Sequence, residues 1–450
     1  MQSENLKVAI VGGGLAGFTA ACRILQAKPQ TEITIFEKSA QAGGRASTKV
    51  KEGFHLNQGA HALYRAGSAM AFLKEIGLTP AGAAPNTFDG TAIYGDEFFT
   101  LPLSPGDMIK TKLFSTVEKV ELSGFLLGLN KFDQAALAST NVSDWLDKVS
   151  KNAKVKELLQ AILRLCTYSN NPEKLSAGAA VGQLIMSQGG VLYLDGGWQS
   201  IVDGLWGKVQ DLAAQPPTLR PNTAVTGLQS NESSDNGRSN VTVITGGAQV
   251  AEETFDAVIL AVPPAQVAQL LPEAIAADVR QALDKCVPGR VAGLDICLKK
   301  APAPKTVYGL GVDEPLYYSM HSSAAKLTAE AEQALIHMAY YLPHGEVGNE
   351  RHEARMLSVL DRLQPGWQDE LVYKRYLPEM TADYGQPLAS QSGVQGLASP
   401  ILPLANVFAA GDFVGSNKFL ADGAVTSALR AADLLLEQTK NLEKIVLQTV

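Results

Sequence analysis

The sequence predicts an α/β fold, in which a parallel sheet flanked by helices is interrupted by insertions of mixed α+β structure. An apolar strand pattern at Lys7–Val11 leads into a helical pattern at Leu15–Ala27 and a second strand pattern at Thr31–Phe36. Two more apolar strands, Asp256–Val262 and Asn406–Ala410, come much later in the chain. Apolar strands that alternate with helices are typical of a parallel sheet buried on both faces.

The first strand, helix and second strand carry a dinucleotide fingerprint. Gly12, Gly14 and Gly17 form G-x-G-x-x-G where the strand turns into the helix. Glu37 follows Gly17 by 20 residues, at the end of the second strand. The glycines permit the tight turn, the close approach of a pyrophosphate and close helix–strand packing, while the acid can bind ribose hydroxyls. We therefore predict a Rossmann-like nucleotide-binding domain and disfavour an ordinary tight turn.

Periodicity predicts the elements between these strands. A helix is expected over 67–80, and amphipathic helices with loops from about 80 to 190, with Ser143-Asp144 as a helix cap. A hairpin of Thr223–Leu228 and Asn240–Thr245 is expected around the polar turn Gln229–Ser239, which contains Asn236-Gly237. The remaining predicted helices are Ser143–Val149, Val155–Leu165, Gly196–Ala213 and Gly423–Gln438, and the remaining strands are Val291–Lys299, Pro315–Met320, Ala334–Tyr341 and Leu371–Leu377.

The bulk composition argues against several classes of protein. A chain of 450 residues is expected to form two joined domains. Its net charge of −7, without a basic block, argues against a nucleic-acid partner. Cys22, Cys166, Cys286 and Cys297 lack C-x-x-C spacing and are expected to be reduced thiols of a cytoplasmic protein. No apolar run reaches the roughly 20 residues of a membrane helix, so we expect at most a peripheral membrane contact.

Two further glycine-containing segments narrow the choice of dinucleotide cofactor. Gly43-Gly44-Arg45 follows Glu37 closely. The guanidinium of Arg45 could pair with phosphate oxygens of the cofactor, although Arg45 could equally be an ordinary surface residue. Near the C-terminus, Ala410-Gly411-Asp412 follows a short strand, and Gly423-Ala424 opens the last helix. The N-terminus of that helix could stabilise an anionic reduced flavin, or the helix could simply close the fold.

These motifs occur in an order that resembles a known superfamily across nearly the whole chain. The motifs are VGGGLAG, Glu37 with GGR, the GAH at 59–61, GGW at 196–198, DAVILAVPP, and AAGD with the LADGA helix. Together they resemble the FAD-dependent superfamily of flavin amine oxidases, protoporphyrinogen oxidase and phytoene desaturases, and look most like its phytoene-dehydrogenase-related branch. The motifs are specific for the superfamily and unspecific for the substrate.

The resemblance implies non-covalently bound FAD and two interleaved domains. The implied cofactor residues are Gly12, Gly14, Leu15, Ala16, Gly17, Glu37, Lys38, Gly44, Arg45, Gly59, Ala60, Val225, Gly411, Asp412, Ala424 and Val425. Among them, Val225 is expected at the adenine, Gly59-Ala60 near the flavin ring, and Ala424-Val425 at its pyrimidine edge. The FAD-binding domain is expected to comprise 1–79, 191–269 and 399–450. The substrate domain is expected to comprise a mainly helical 80–190 and a sheet with helices at 270–398.

The chain departs from the amine oxidases of the superfamily at two places. Those enzymes carry a lysine near flavin N5, and the corresponding position here is placed at the apolar Leu294. They also enclose the amine between two aromatic rings, whereas the last helix here begins after Phe419 with Leu420-Ala421-Asp422. Both differences argue against amine oxidation. Because no cysteine or histidine lies near the last helix, a covalent flavin link is not expected there.

His61 and Tyr318 are the candidate catalytic residues. His61 follows Gly59-Ala60, although a histidine satisfied by its neighbours in the core is the more common case. Tyr318 and Met320 should share one face of a strand, with Tyr317 and Ser319 on the other, and half-buried packing explains the tyrosines equally well. Phe125–Leu129 could line an apolar entrance or touch a membrane, although core packing is favoured. No metal site is predicted, because His55 and His61 have no further ligands in metal spacing.

The sequence therefore predicts a flavoenzyme that binds a small molecule. We expect hydride removal from an apolar, isoprenoid-like substrate held close to flavin N5 in a water-excluding pocket. Amine oxidation at a C–N bond is one alternative. A non-catalytic lipid or prenyl escort on the same scaffold is another, although the intact Glu37, Arg45 and Asp412 argue against it. The sequence predicts no oligomeric state.

Overall fold

The computed structural model describes residues 5–86, 90–231, 239–246 and 250–448, with side chains as far as 439. The α-helices are α1 (Leu15–Ala27), α2 (Ser68–Glu75), α3 (Pro105–Lys110), α4 (Thr116–Gly128), α5 (Val142–Val149), α6 (Ala153–Thr167), α7 (Ala177–Ser187), α8 (Gln199–Leu212), α9 (Pro264–Leu270), α10 (Glu273–Leu283), α11 (Glu350–Leu363) and α12 (Leu420–Gln448). The first strands are β1 (Lys7–Val11), β2 (Glu32–Phe36), β3 (Thr48–Lys51), β4 (Phe54–Asn57), β5 (Leu63–Tyr64), β6 (Gly82–Ala83), β7 (Thr91–Tyr94), β8 (Glu97–Thr100), β9 (Val191–Leu194) and β10 (Thr218–Arg220). The later strands are β11 (Ala224–Asn231), β12 (Asn240–Gly246), β13 (Ala251–Phe255), β14 (Ala257–Leu260), β15 (Gly289–Leu298), β16 (Tyr308–Gly311), β17 (Leu316–Met320), β18 (Ala334–Leu342), β19 (Leu371–Asp383) and β20 (Val407–Ala409).

A five-stranded parallel sheet, in the order β10-β2-β1-β14-β20, forms the centre of the nucleotide-binding fold. In β1 and β14 the apolar residues are buried on both faces, as the uninterrupted apolar runs predicted. Helices α1, α8 and α12 pack on one face of this sheet. Strands β11–β13 and helices α9 and α10 cover the other face. The predicted α/β fold is confirmed.

A second, seven-stranded sheet has the order β19-β15-β18-β17-β16-β7-β8. Its strands are antiparallel except where β16 pairs parallel with β7. Helices α4, α5, α6 and α7 pack on one face, and α11 packs on the other. The bounds predicted for the two domains stay a prediction. Within the described ranges, no helix is both long and apolar enough to cross a membrane.

Several predicted elements differ in their bounds or their caps. Helix α2 ends at Glu75 rather than at residue 80, because Gly77 takes up a left-handed conformation with φ of 71°. Helix α5 is capped by Asn141, whose Oδ1 accepts the Asp144 N–H at 2.8 Å, and not by Ser143-Asp144. Helix α12 begins at Leu420, earlier than predicted.

Other predictions concern pairing. The hairpin of β11 and β12 is confirmed, but most of its predicted turn, including Asn236-Gly237, lies outside the described residues. Strands β7 and β8 form an antiparallel pair inside a region that was predicted to contain only loops and helices. The sequence missed them because their place in the large sheet depends on β16, which is distant in the chain.

Candidate functional site

A cavity of about 720 Å³ opens at the carboxyl ends of the parallel strands. Val11, Glu37 and Ala261 line it directly at or after the ends of β1, β2 and β14. Gly411 lines it beyond the end of β20. This is the edge at which open α/β sheets bind nucleotides, and the volume lies in the range of ligand cavities.

The three fingerprint glycines take up different environments. A Cβ atom on Gly12 would lie 2.3 Å from the carbonyl oxygen of Ala261, and one on Gly17 would lie 2.0 Å from that of Gly12. Gly14 is different, because its Cβ position meets nothing closer than the Gly43 oxygen at 3.8 Å. It lines the cavity as the N-cap of α1, with no side chain capping the helix. The first turn of α1 therefore faces the cavity with N–H groups suited to an anionic ligand.

Glu37 is buried at the cavity wall, and backbone groups hold its carboxylate. Its Oε2 accepts the Gly13 N–H at 3.0 Å and its Oε1 accepts the Ser39 N–H at 2.8 Å. Each carboxylate oxygen has a second lone pair, so the side chain can still accept hydroxyl donors from a ligand. Its position next to the start of α1 fits the ribose role predicted for it.

Arg45 and Asp412 form a bidentate ion pair in the cavity wall. The two terminal nitrogens of Arg45 donate to Oδ2 and Oδ1 of Asp412 at 2.6 and 2.8 Å. Arg45 also donates to the carbonyl of Ala382 and lies 4.5 Å from the centre of the Tyr384 ring. Arg45, which was predicted to bind phosphate, thus has a carboxylate partner within the chain. Its side chain is 35% exposed, whereas that of Asp412 is fully buried.

A second buried carboxylate stands beside this pair. Burial and the nearby Asp412 carboxylate hold the pKa of Asp383 well above its ordinary value. Its oxygens accept the Gly385 N–H at 2.9 Å and the Leu420 N–H at 2.8 Å. Leu420 lines the cavity with a φ of 55°, a conformation that is uncommon for a side-chain-bearing residue. Asp383 therefore fixes the entry into α12 at the cavity wall.

Most of the other residues predicted to bind the cofactor also line the cavity. The lining includes Leu15, Ala16, Lys38, Gly44, Gly59, Ala60, Val225 and Ala424. Gly17 and Val425 do not line it; Val425 is buried among the helices that cover the parallel sheet.

The cavity extends to the seven-stranded sheet, at what we call its sheet end, lined by Tyr168, Val291, Ala339 and Met380. Gly59 belongs to this end, because a Cβ atom on it would lie 2.6 Å from Cε of Met380. The Tyr168 hydroxyl donates to the carbonyl of Ala60 at 2.7 Å. The sequence analysis missed Tyr168 and Met380, since no local motif marks them.

His61 lies in the cavity wall next to Trp198, with ring centres 5.1 Å apart. Its Nδ1 donates to the carbonyl of Gly59 at 3.0 Å. Desolvation lowers the pKa of His61 to about 4, although the cavity leaves part of its ring accessible. The imidazole is therefore neutral at pH 7.

Tyr318, the other candidate catalytic residue, does not line the cavity. It is fully buried between the seven-stranded sheet and α11. Its hydroxyl donates to the carbonyl of Thr306 and accepts from Gln364, both at 2.8 Å. The predicted alternation is confirmed, since Tyr317 lies on the opposite face, but neither tyrosine reaches the cavity. Packing accounts for Tyr318, and the assignment of a catalytic role to it is not supported.

The strand expected to carry the lysine of amine oxidases is β15. Leu294 on this strand faces away from the cavity, toward α11, whereas Val291 lines it. Among the described residues that line the cavity, the only lysine is Lys38, which follows Glu37 at the nucleotide-binding edge. The sheet end thus offers no ammonium group.

The groups that line the cavity fit a flavin dinucleotide. An uncapped helix N-terminus, the open position at Gly14 and the carboxylate of Glu37 meet at one edge of the cavity. From there the same cavity runs to an apolar end. In the described chain no cysteine lines it.

Comparison with known proteins identifies a family. The family model described as flavin containing amine oxidoreductase matches residues 15–436. The structure of putrescine oxidase bound to putrescine is similar to this chain with a TM-score of 0.68 and 18% identity, covering 96% of this chain and 100% of that one.

Two curated relatives match over part of their length. Coproporphyrinogen III oxidase of Staphylococcus aureus (strain NCTC 8325 / PS 47) is 27% identical over 178 residues, 38% of this chain and 38% of that protein. The 4,4'-diapophytoene desaturase (4,4'-diaponeurosporene-forming) of Staphylococcus aureus (strain bovine RF122 / ET3-1) is 43% identical over 54 residues, 12% of this chain and 10% of that protein. The chain thus spans well under half the length of either relative.

Proposed function

The chain belongs to the family of flavin-containing amine oxidoreductases, and from this premise we propose that it uses non-covalently bound FAD to remove a hydride from an apolar, isoprenoid-like small molecule. The observation that carries the proposal is a cavity that joins a dinucleotide-binding edge to an apolar end, at which none of the described lining residues is a lysine. When bound, the flavin supplies the two-electron acceptor.

In this proposal the chain's own residues hold the two halves of the cofactor. The first turn of α1 and Gly14 receive the pyrophosphate, and Glu37 binds the adenosine ribose. Val225 contacts the adenine, and Asp412, paired with Arg45, meets a phosphate or a ribityl hydroxyl. The sheet end then receives the substrate. Non-covalent binding is supported by the segment at the start of α12, because residues 399–439 contain neither cysteine nor histidine.

The sheet end of the cavity supports an apolar substrate. Val291, Ala339 and Met380 contribute only apolar surface there. The Tyr168 hydroxyl is occupied by the carbonyl of Ala60. Among the described residues that line the cavity, the lysine and arginine are Lys38, at the nucleotide-binding edge, and Arg45, which Asp412 binds on two hydrogen bonds. Neither is free to pair with an anionic substrate at the sheet end.

His61 is a titratable group of the cavity wall that can take part in proton transfer. Loss of a hydride from one carbon leaves a carbocation, and loss of a proton from the neighbouring carbon then forms the double bond. The neutral imidazole can take that proton, because a C–H bond beside a carbocation is far more acidic than an imidazolium, even with the pKa of His61 lowered to about 4. Its hydrogen bond to Gly59 fixes the ring orientation. We propose His61 as a catalytic residue, and positioning of the substrate carries the remainder of the rate enhancement.

The test is an absorption spectrum of the purified, desalted protein before and after anaerobic dithionite. Flavin bands that bleach, with FAD released on denaturation, support the redox proposal. Anaerobic bleaching is then compared between apolar polyenes and primary amines. Reduction by amines alone favours C–N oxidation. A protein that stays colourless after incubation with FAD refutes the enzyme proposal and favours a lipid or prenyl escort.

A further inference from the structure

Exposed large apolar side chains are concentrated in one short segment of the protein. In the described chain the large hydrophobic residues that are strongly exposed number nine, and five of them lie between 103 and 127. Those five are Leu103, Ile109, Val117, Val120 and Leu127, and the last four are between 69% and 84% exposed. Isolated exposed apolar residues are ordinary, but a cluster of them marks an interaction surface.

Helix α4 is apolar on two opposite sides. Leu122 and Phe125 point into the core beneath the helix. Val117, Val120 and Leu127 follow one another at helical spacing on the exposed side, where the position of Gly124 is also open. A surface helix normally has one apolar stripe, so the second stripe has no partner in the fold. Within Phe125–Leu129, Phe125 and Leu129 are buried, as the favoured core packing predicts, whereas Leu127 is exposed.

The end of α3 adjoins this exposed stripe. Lys119 of α4 donates from Nζ to the carbonyl of Ile109 at 3.1 Å. Ile109, at the end of α3, is itself 80% exposed. We refer to Ile109, Val117, Val120 and Leu127 as the α4 ridge.

The α4 ridge carries a small excess of positive charge in an acidic protein. Residues 109–127 contain three lysines and two acids, whereas the whole chain has 45 acidic and 38 basic residues. Glu118 accepts from the N–H and hydroxyl of Ser115 at 2.8 Å, and Glu121 accepts from the hydroxyl of Ser150. Lysines around exposed apolar side chains match the negative surface of an anionic bilayer.

We propose that the α4 ridge docks the protein on an anionic lipid surface. The ridge is too small for a stable contact with a second copy, because a standard protein interface uses about 20–30 residues on each side. A bilayer needs only a few inserted apolar side chains and nearby lysines. The inward side of α4 packs in the apolar core against which Tyr168 and Met380 of the cavity wall also pack.

Vesicle co-sedimentation tests the proposal without any substrate. The protein is mixed with phosphatidylcholine vesicles, with and without phosphatidylglycerol, at low and high salt. The test variant combines Val117→Gln, Val120→Gln and Leu127→Gln. The matched control combines Val250→Gln and Val347→Gln, which replace exposed apolar residues elsewhere. Circular dichroism and the flavin spectrum check that both variants are folded.

We expect the wild type and the control to sediment with the anionic vesicles, and the triple variant to lose about tenfold or more of its binding. Salt should weaken binding of the wild type. Wild type that stays in the supernatant with both kinds of vesicle overturns the proposal, as does equal binding by the triple variant. A dimer in light scattering that the triple variant abolishes assigns the ridge to a second copy and also overturns it.

Discussion

At the scale of single residues, the three fingerprint glycines are required for different reasons. Gly12 and Gly17 are required by the fold, because a Cβ atom on either would lie within 2.3 Å of a backbone oxygen. Gly14 has room for a Cβ atom and a φ of −96°, so the protein alone does not demand glycine there. What Gly14 leaves open is the surface that a ligand would approach.

This difference predicts opposite outcomes for two alanine variants. We expect Gly17→Ala to lower the free energy of unfolding by about 1–3 kcal/mol or more, because its methyl group overpacks the strand–helix contact. Gly14→Ala should unfold like the wild type but bind FAD much more weakly. Thermal unfolding and flavin titration of both proteins check this. Full flavin binding by a stable Gly14→Ala protein would contradict the assigned nucleotide site.

His61 makes the stability of the protein depend on pH. Its folded-state pKa of about 4 lies below its ordinary value of 6.5, so between these values the unfolded chain binds more protons. Stability should therefore fall as pH drops from about 6.5 toward 4, since the cavity wall disfavours the imidazolium. Thermal unfolding of wild type and His61→Phe across this window measures the effect. The variant should lose less stability on acidification, and parallel curves would contradict the prediction.

Residue-level prediction found residues of the cavity wall where the sequence signal is local. Gly14, Glu37 and Arg45 all line the cavity, as their spacing in the sequence indicated. It failed for Tyr318, because period-two alternation gives two faces of a strand without telling which one meets the cavity. Met380 was missed for a related reason, since only the pairing of β19 with β15 brings it to the site.

At the scale of an element, helix α2 receives its N-terminal cap from a distant part of the chain. Asp422, in the first turn of α12, accepts the Ala69 N–H at 2.7 Å. Its carboxylate lies against Gly67, and a Cβ atom added to Gly67 would be 2.4 Å from the carboxylate oxygens. Burial raises the pKa of Asp422, partly offset by hydrogen bonds from Ala69 and Ser68. The negative charge therefore carries a desolvation penalty that a neutral acceptor would avoid.

We predict that the neutral variant keeps the cap. Asp422→Asn retains an oxygen for the Ala69 N–H and should be at least as stable as the wild type at pH 7. Asp422→Ala removes the acceptor and should lower the free energy of unfolding by about 1 kcal/mol. Urea unfolding at pH 7 compares the three proteins. If the asparagine variant is as unstable as the alanine variant, the charge itself is required.

The elements that the sequence predicted best are those whose signal is complete within one segment. Strands β1, β2 and β14 were recognised from continuous apolar runs, and the structure places them together. Strands β7 and β8 have no such signal, and only their alignment with β16 defines them. The start of α12 was placed too late because Leu420 enters it from a left-handed conformation that Asp383 holds.

At the scale of the whole molecule, a buried charge cluster ties the large sheet to the segment beneath the cavity. Asp295 of β15 contacts Nδ1 of His337 and accepts from Nε of Arg375, at 2.5 and 2.7 Å. Arg375 also donates to the carbonyl of Asn57. The Asn57 side chain in turn accepts the Trp198 N–H at 2.9 Å. Three strands of one sheet are thereby connected to β4 and the start of α8.

Removing Arg375 should weaken this connection strongly. Burial alone would raise the pKa of Asp295, but His337 and Arg375 hold it below its ordinary value. We expect Arg375→Met to lower the free energy of unfolding at pH 7 by about 3–5 kcal/mol, because the variant leaves Asp295 without its cation. The loss should shrink as pH falls, because without Arg375 burial favours protonation of the Asp295 carboxyl in the folded variant.

Guanidinium unfolding at pH 7 and at acidic pH measures both effects. The double variant Asp295→Asn/Arg375→Met should recover part of the lost stability, because no unpaired charge then remains. A single Arg375→Met variant as stable as the wild type would show that the cluster does not connect the two regions.

The order of strands in the parallel sheet also determines when the sheet can be completed during synthesis of the chain. Strand β14 gains its outer neighbour only when residues 407–409 have been made, and α1 lies against α12, which starts at Leu420. A nascent chain therefore carries an open sheet edge and an uncovered apolar helix face until residues 407–436 have been made. Growing chains of this protein should depend on holding chaperones until that segment can pack against β14 and α1.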